Sequence, residues 1–206
     1  MNGDPHRSGA PVKVVLASGN PGKLRELREL LVPCGFELVS QAELGIDSAP
    51  ETGHTFIENA LEKARHVCRE SDLPTIADDS GLLVDALAGA PGIYSARYAG
   101  EAASDTENNR KLLTALAQTA NRRAHFYCAV VFLRGEYDPA PVVSTACWHG
   151  RIVDEPRGSD GFGYDPHFYI DSLGRTAAEL TPAEKSQLSH RGQAVHGLCR
   201  DLESRS

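Results

Sequence analysis

Residues 12–40 read as strand, loop, helix and strand in that order. Val12 to Ala17 is a short β-branched run that fits a buried strand, and Ser18 to Gly22 breaks it. Leu24, Leu27, Leu30, Leu31 and Cys34 then recur at helical spacing, with Gly35 placed as a C-cap. Phe36 to Ser40 reads as the next strand. Such an opening belongs to an α/β protein.

Residues 41–53 are acidic and irregular. Thr55, with Glu58 three positions on, resembles a capping box ahead of a helix marked by Phe56, Ala60, Leu61, Ala64, Val67 and Cys68. Thr75 to Ala77 reads as a short strand ending at Asp78 and Asp79, and Leu82 to Leu87 as a candidate further strand. Gly89 to Gly100 reads as a loop and residues 105–118 as a helix. Phe126 to Leu133 and Val142 to Val153 are strong strand signals, joined by a hairpin loop at 134–141. A Gly-rich loop follows at 154–166. Thr181, Pro182 and Glu184 mark a helix start, and a last helix is expected from about Arg191 to Leu202. Helices early and hairpin strands late predict a mixed sheet. No repeat or linker divides the chain, so one domain is expected over 12–206, after a flexible tail at 1–11.

Composition narrows the partners. With 206 residues, 41% hydrophobic and 24% charged, the chain can bury a core unaided. Its net charge is 21 minus 28, or −7, which argues against broad binding to nucleic acid or to an anionic membrane. A small anionic substrate stays open if basic residues converge. The five cysteines are odd in number and form no C-x-x-C pair, so the expectation is reduced thiols in the cytoplasm, with neither a disulfide framework nor a zinc site. No apolar run reaches the roughly 18 residues of a spanning helix, and MNGDPHRSGAP lacks the apolar centre of a signal peptide.

Four stretches could carry chemistry. Ser18-Gly19-Asn20-Pro21-Gly22-Lys23 feeds a helix N-terminus, where backbone N–H groups, the helix dipole and Lys23 suit a phosphate. It is not a Walker A loop, and a plain turn fits it too. Asp78-Asp79-Ser80-Gly81 follows a strand, and adjacent carboxylates there call for a cation such as Mg²⁺; an acidic solvent turn is the alternative. Gly158 to Pro166 carries Phe162, Tyr164 and Asp165 on flexible backbone, aromatic groups that either pack inward or stack on a ligand. Lys185, His190 and Arg191 are three potential cations close together, fitted to a phosphate or a base oxygen, or to a solvated basic face. Glu51 and Lys63 read by themselves as surface, although Lys63 shares a helix face with Asn59.

In order, SGNPGK, TFIENALEKAR, ADDSGL, GAPGIYSARYAG, GFGYDPHF and TAAEL with EKSQLSHRGQA resemble the inosine/xanthosine triphosphate pyrophosphatase family, nearest its bacterial dITP/XTP type, over about residues 12–202. The resemblance implies an α/β fold: a long curved mixed sheet flanked by helices, in two lobes with a central cleft. It also implies a homodimer, and Mg²⁺-dependent hydrolysis of non-standard purine nucleoside triphosphates to monophosphate and pyrophosphate. By resemblance the phosphate loop is Ser18, Gly19, Asn20, Pro21, Gly22 and Lys23, the metal carboxylates are Glu51 and Asp79, and Asp79 is also the general base. Lys63 would face the triphosphate and Ser80 would touch substrate. Phe162, Gly163, Tyr164 and Asp165, with Lys185, His190 and Arg191, would bind the nucleotide. Ser18 stands where many members carry Thr, and Pro50 where an acid is common. A Maf-like pyrophosphatase would open on an Arg-rich motif that is absent here. A non-catalytic nucleotide-binding regulator would not need the acidic residues. A dinucleotide enzyme would need G-x-G-x-x-G after the first strand.

Overall fold

The computed structural model describes residues 11–205. Apart from Pro11, the expected tail at 1–11 lies outside them. β1 (Lys13–Ala17) is flanked in parallel by β2 (Glu37–Ser40) and β3 (Thr75–Val84). From β3 onward the sheet is antiparallel, through β4 (Arg123–Leu133), β5 (Val142–Ile152), β6 (Phe168–Ile170) and β7 (Arg175–Thr176). The order β2-β1-β3-β4-β5-β6-β7 is the mixed sheet that the early helices and late hairpins predict.

Helices cover both faces. α1 (Pro21–Leu31) and α5 (His190–Glu203) pack with one another on one side, and α5 lies on β4 and β5. α2 (Phe56–Ser71) covers β3 and β4 on the other side. Alternation along the strands divides the core accordingly: Val14, Leu16 and Ile76 meet Leu27, Val195 and Leu198, while Val15, Ala17 and Ala77 meet Ala60, Ala64 and Val67. β1 is therefore apolar on both faces, as expected of a strand buried in a parallel layer. A third cluster packs α3 (Asp105–Leu116), through Leu112 and Leu116, against Leu82, Phe126, Trp148 and Phe168. α4 (Pro182–Leu188) leads into α5. No helix among the described residues is long and apolar enough to cross a membrane.

Several local expectations change. The two short strands placed at 75–77 and 82–87 are one strand, Thr75–Val84, followed by a 3-10 turn at Asp85–Leu87. The acidic pair is thus inside a strand, not after one. Ladder pairing with β4 runs unbroken from Thr75 to Val84 and carries the backbone through the two aspartates. The first helix stops at Leu31, and Val32–Cys34 is a 3-10 turn ended by Gly35 at φ 72°. Pro33 has no N–H to continue the helical ladder. Within Gly89 to Gly100, Gly92–Arg97 forms a 3-10 helix. Glu58 accepts from the N–H of His54 at 2.9 Å, one residue ahead of the cap, whereas Thr181 and Glu184 form a complete capping box. The expectation of reduced thiols fails for two residues: Cys34 and Cys199 are joined in a disulfide, with Cα atoms 5.9 Å apart. They stand 165 positions apart, so short-range spacing rules could not pair them. Cys68, Cys128 and Cys147 are free.

Candidate active site

The site begins where β1 ends. Ala17 pairs with Ala77, the last parallel contact, so β3 has no strand beside that edge from Asp78 onward. The loop after β1 crosses this gap. Asn20 caps α1 by accepting from the Lys23 N–H at 3.0 Å, and Ser18 Oγ accepts from the Asn20 N–H at 3.3 Å. Close packing explains Gly19, because a Cβ there would lie 2.9 Å from Ser48 Oγ.

Consecutive strand residues point to opposite faces, and this separates the two aspartates. Asp79 faces α2, where Asn59 donates to it at 3.1 Å and Lys63 at 3.3 Å. Lys63 also donates to Glu51 at 2.9 Å, so Asn59 and Lys63 share the face that their spacing predicts. Asp78 turns toward α5 and accepts from Arg191 at 3.2 Å. Lys23 lies 3.5 Å from Asp78 and 3.8 Å from Asp79, touching both faces at once. Burial pushes the Asp78 carboxyl up, but Lys23, Arg191 and Lys63 together hold it well below the usual carboxylate range. Its Oδ1 is buried with no hydrogen-bond partner among the described residues.

The opposite end is built from aromatic rings and a second charge network. Arg191 is 2% exposed and donates to Ser80 Oγ at 2.7 Å, to Asp78 and to Glu26. Lys185 donates to Asp165 at 2.6 Å and to Glu26 at 3.0 Å. Burial raises the Asp165 carboxyl despite Lys185. Asp165 accepts from the Phe162 N–H at 2.9 Å, and the Phe162 ring lies 4.9 Å from Lys185 Nζ. Tyr164 OH donates to the Ser95 carbonyl at 2.8 Å. His190 stacks on Phe126, with ring centroids 4.7 Å apart. Burial, with Arg191 and Lys185 beside it, pushes the imidazole well below its ordinary value. Of the three potential cations on this segment, the fold disfavours the charged form of His190.

Most of these groups line one cavity of about 650 Å³, with Asn59, Asp78 and Glu26 behind its wall. All the substrate and metal candidates line it except Pro21 and Gly22. Pro21 is the first residue of α1, and Gly22 lies against the Phe162 ring, where a Cβ would come within 3.0 Å. Sequence reasoning missed three participants. Glu26 stands three positions after Lys23, so helical spacing could have found it. Arg97 donates to Glu51 at 3.0 Å, and Asp105 lines the wall; neither carries a local signal. Gly192 holds the turn between α4 and α5, since a Cβ there would overlap the Ser186 carbonyl. Gly192→Ala should therefore lower stability by about 1–3 kcal/mol, read as a lower urea midpoint. An unchanged midpoint would mean that the turn yields freely.

A model of the Ham1 family matches residues 14–201. This chain belongs to the Ham1 family. The dITP/XTP pyrophosphatase of Yersinia pestis is 59% identical over 185 residues, covering 89% of this chain and 94% of its own length. That of Escherichia coli K12 is 57% identical over 194 residues, covering 93% of this chain and 98% of its own. A solved Ham1 protein from Coxiella burnetii superposes with a TM-score of 0.87 at 48% identity, covering 94% of this chain and 99% of the other. The motifs singled out from the sequence thus belong to the family the comparisons show.

Whether the Ham1 site suits a metal turns on its donors. Among the described residues no three His, Cys, Asp or Glu side chains gather into a self-sufficient ion site. Glu51 and Asp79 nonetheless converge, because both accept from the same Lys63 Nζ. One or two carboxylates, completed by phosphate oxygens of a substrate, are a donor set that Mg²⁺ accepts. The residues present fit that ion.

Proposed function

We propose that this Ham1 chain hydrolyses the non-standard purine nucleoside triphosphates ITP, dITP and XTP to the monophosphate and pyrophosphate. The observation that carries the reading is the two-ended cavity. Carboxylates interleaved with Lys23 and Lys63 stand at the N-terminus of α1, and Phe162, Lys185 and Arg191 stand at the other end.

The N-terminus of α1 and the two lysines receive phosphate oxygens, which compete with Asp79 and Glu51 for the same ammonium groups. Glu51 and Asp79 would hold Mg²⁺, which when bound neutralises phosphate charge and acidifies water. Asp79 takes the proton from the water that attacks the α-phosphorus. Lys23 and Lys63 stabilise the departing pyrophosphate. At the purine end, hypoxanthine and xanthine present an oxygen at C6, where adenine presents an amine. Arg191 or Lys185 donates to the oxygen, while the amine would face a donor and stay unmatched. Phe162 stacks on the ring without reading it. The reading includes a homodimer acting on the cytoplasmic nucleotide pool, with residues 12–206 as one unit, and no nucleic acid or membrane as partner.

The test is pyrophosphate release from ITP, XTP, ATP and GTP, with Mg²⁺ and with chelator. Metal-dependent release from ITP and XTP at about 10²-fold or more over ATP is expected. Equal release from ATP would overturn the base reading. Binding without any release would make the chain a regulator instead of an enzyme.

A further inference from the structure

Two consecutive asparagines of α3 hold different walls of the cavity. Asn108 is 2% exposed; it donates to the Ala96 carbonyl at 3.1 Å and accepts from the Ala99 N–H at 2.7 Å. It thereby brackets Arg97, whose guanidinium reaches Glu51 at the carboxylate end. Asn109 is 8% exposed and donates to the Gly163 carbonyl at 2.8 Å and the Asp105 carbonyl at 2.9 Å. The Asp105 carboxylate accepts from the Gly163 N–H at 2.7 Å. Both polar backbone groups of Gly163 therefore end on α3. Neither cavity loop has a strand ladder to satisfy its backbone at these points, so the helix does it with side chains. Neighbouring helix positions point about 100° apart, which lets adjacent asparagines reach two loops. Asp105 and Asn109, four apart, share one face and reach the same residue, one at its N–H and the other at its carbonyl. Gly163 adopts φ 65° and connects Phe162 to Tyr164.

We propose that these are positioning residues with divided tasks. Asn108 sets Arg97 at the phosphate end, and Asp105 with Asn109 sets Phe162 at the purine end. The assignment rests on the nucleotide reading given above. It implies that the two ends of the cavity can be loosened separately from a single helix.

The experiment uses the full chain and measures binding of inosine monophosphate and of pyrophosphate separately by calorimetry, with ITP kinetics and backbone hydrogen exchange alongside. Asn109→Ala and Asp105→Ala should weaken inosine monophosphate about tenfold or more and raise KM for ITP more than they lower kcat, because a displaced contact group loses that much. Pyrophosphate affinity should stay within about twofold, and faster exchange should be confined to the segment around Gly163. Asp105→Asn should restore binding, since its amide oxygen still accepts from the Gly163 N–H. Asn108→Ala should do the reverse, weakening pyrophosphate and sparing the monophosphate. Should it fail to fold, Asn108→Gln keeps both hydrogen-bonding functions of the amide and displaces them by one methylene, with no new buried charge. Equal weakening of both ligands by either variant, or no change in either, would overturn the proposal. Wild-type protein binding neither ligand would remove the nucleotide reading and the division of tasks with it. Binding by wild type that is unchanged in the variants would remove the proposal alone.

Discussion

Asp79→Asn should lower kcat for ITP by about 10²–10⁴-fold, the span usual for loss of a general base. The argument is geometric. Asp79 is 4% exposed and sits inside β3, where the ladder to β4 carries its backbone whatever its side-chain charge. Lys63 and Asn59 hold its two oxygens from α2, and Lys23 stands 3.8 Å away across the strand. Asparagine has the same shape, and its oxygen can still accept from Lys63. What it loses is the capacity to take a proton from water, and a charge close to Lys23 and Lys63. Thermal unfolding should therefore show a folded, cooperative protein, and ITP at saturating concentration should still occupy the cavity. Pyrophosphate release under those conditions is the measurement. A kcat within a few-fold of wild type would take the base role away from Asp79.

The second large effect is on stability. Arg191→Ala should destabilise the protein by about 3–5 kcal/mol at neutral pH, the cost of leaving a buried charge without its partner. Arg191 is the guanidinium between Asp78, 1% exposed, and Glu26, and both carboxylates are held below their ordinary values in part by it. In the wild-type protein the folded Asp78 binds its proton more weakly than the unfolded chain does. Its contribution is therefore present above the unfolded value near pH 4 and is lost as pH falls further. Without Arg191, burial works against ionised Asp78 and Glu26 with less opposition, although Lys23 and Lys185 remain. Both carboxyls should rise, and protonation should then relieve part of the damage. Urea denaturation of the variant should show its deficit largest near pH 7 and smaller at about pH 4–5. A deficit independent of pH would place the loss in packing and not in charge.

How much of this was legible in the sequence depends on the range of the interactions. The strand–loop–helix opening follows from local spacing of Val and Leu residues, and the capping box at Thr181 and Glu184 from three-residue spacing. The continuity of β3 was not legible, because two aspartates are poor strand residues. Lys63 and Arg191 stabilise them from 16 and 113 positions away, and no window around Asp78 contains both. The same range hid the Cys34–Cys199 bond, and Arg97 reaches Glu51 from 46 positions away. Burial of His190, stacked on Phe126, disfavours its charged form together with Arg191 and Lys185, and sequence proximity shows only the two cations. Spacing alone left each candidate motif with a bland alternative. The order of all the motifs together, as a family resemblance, is what assigned roles to Glu51 and Lys63.

The ion network around Arg191 also ties the first half of the chain to its last helices. Glu26 and Asp78 emerge from the ribosome early, while their guanidinium follows 165 and 113 residues later, on the last helix. Lys185, which completes the pairing of Glu26, arrives 159 residues after it. A nascent chain released as far as Glu179 holds Glu26 and Asp78 but neither Lys185 nor Arg191. Lys23 and Lys63 already precede that point and lower the Asp78 carboxyl, whereas Glu26 waits for both of its cations. The last two helices therefore bring the counter-charge of Glu26 within one stretch of the chain, from Lys185 to Arg191.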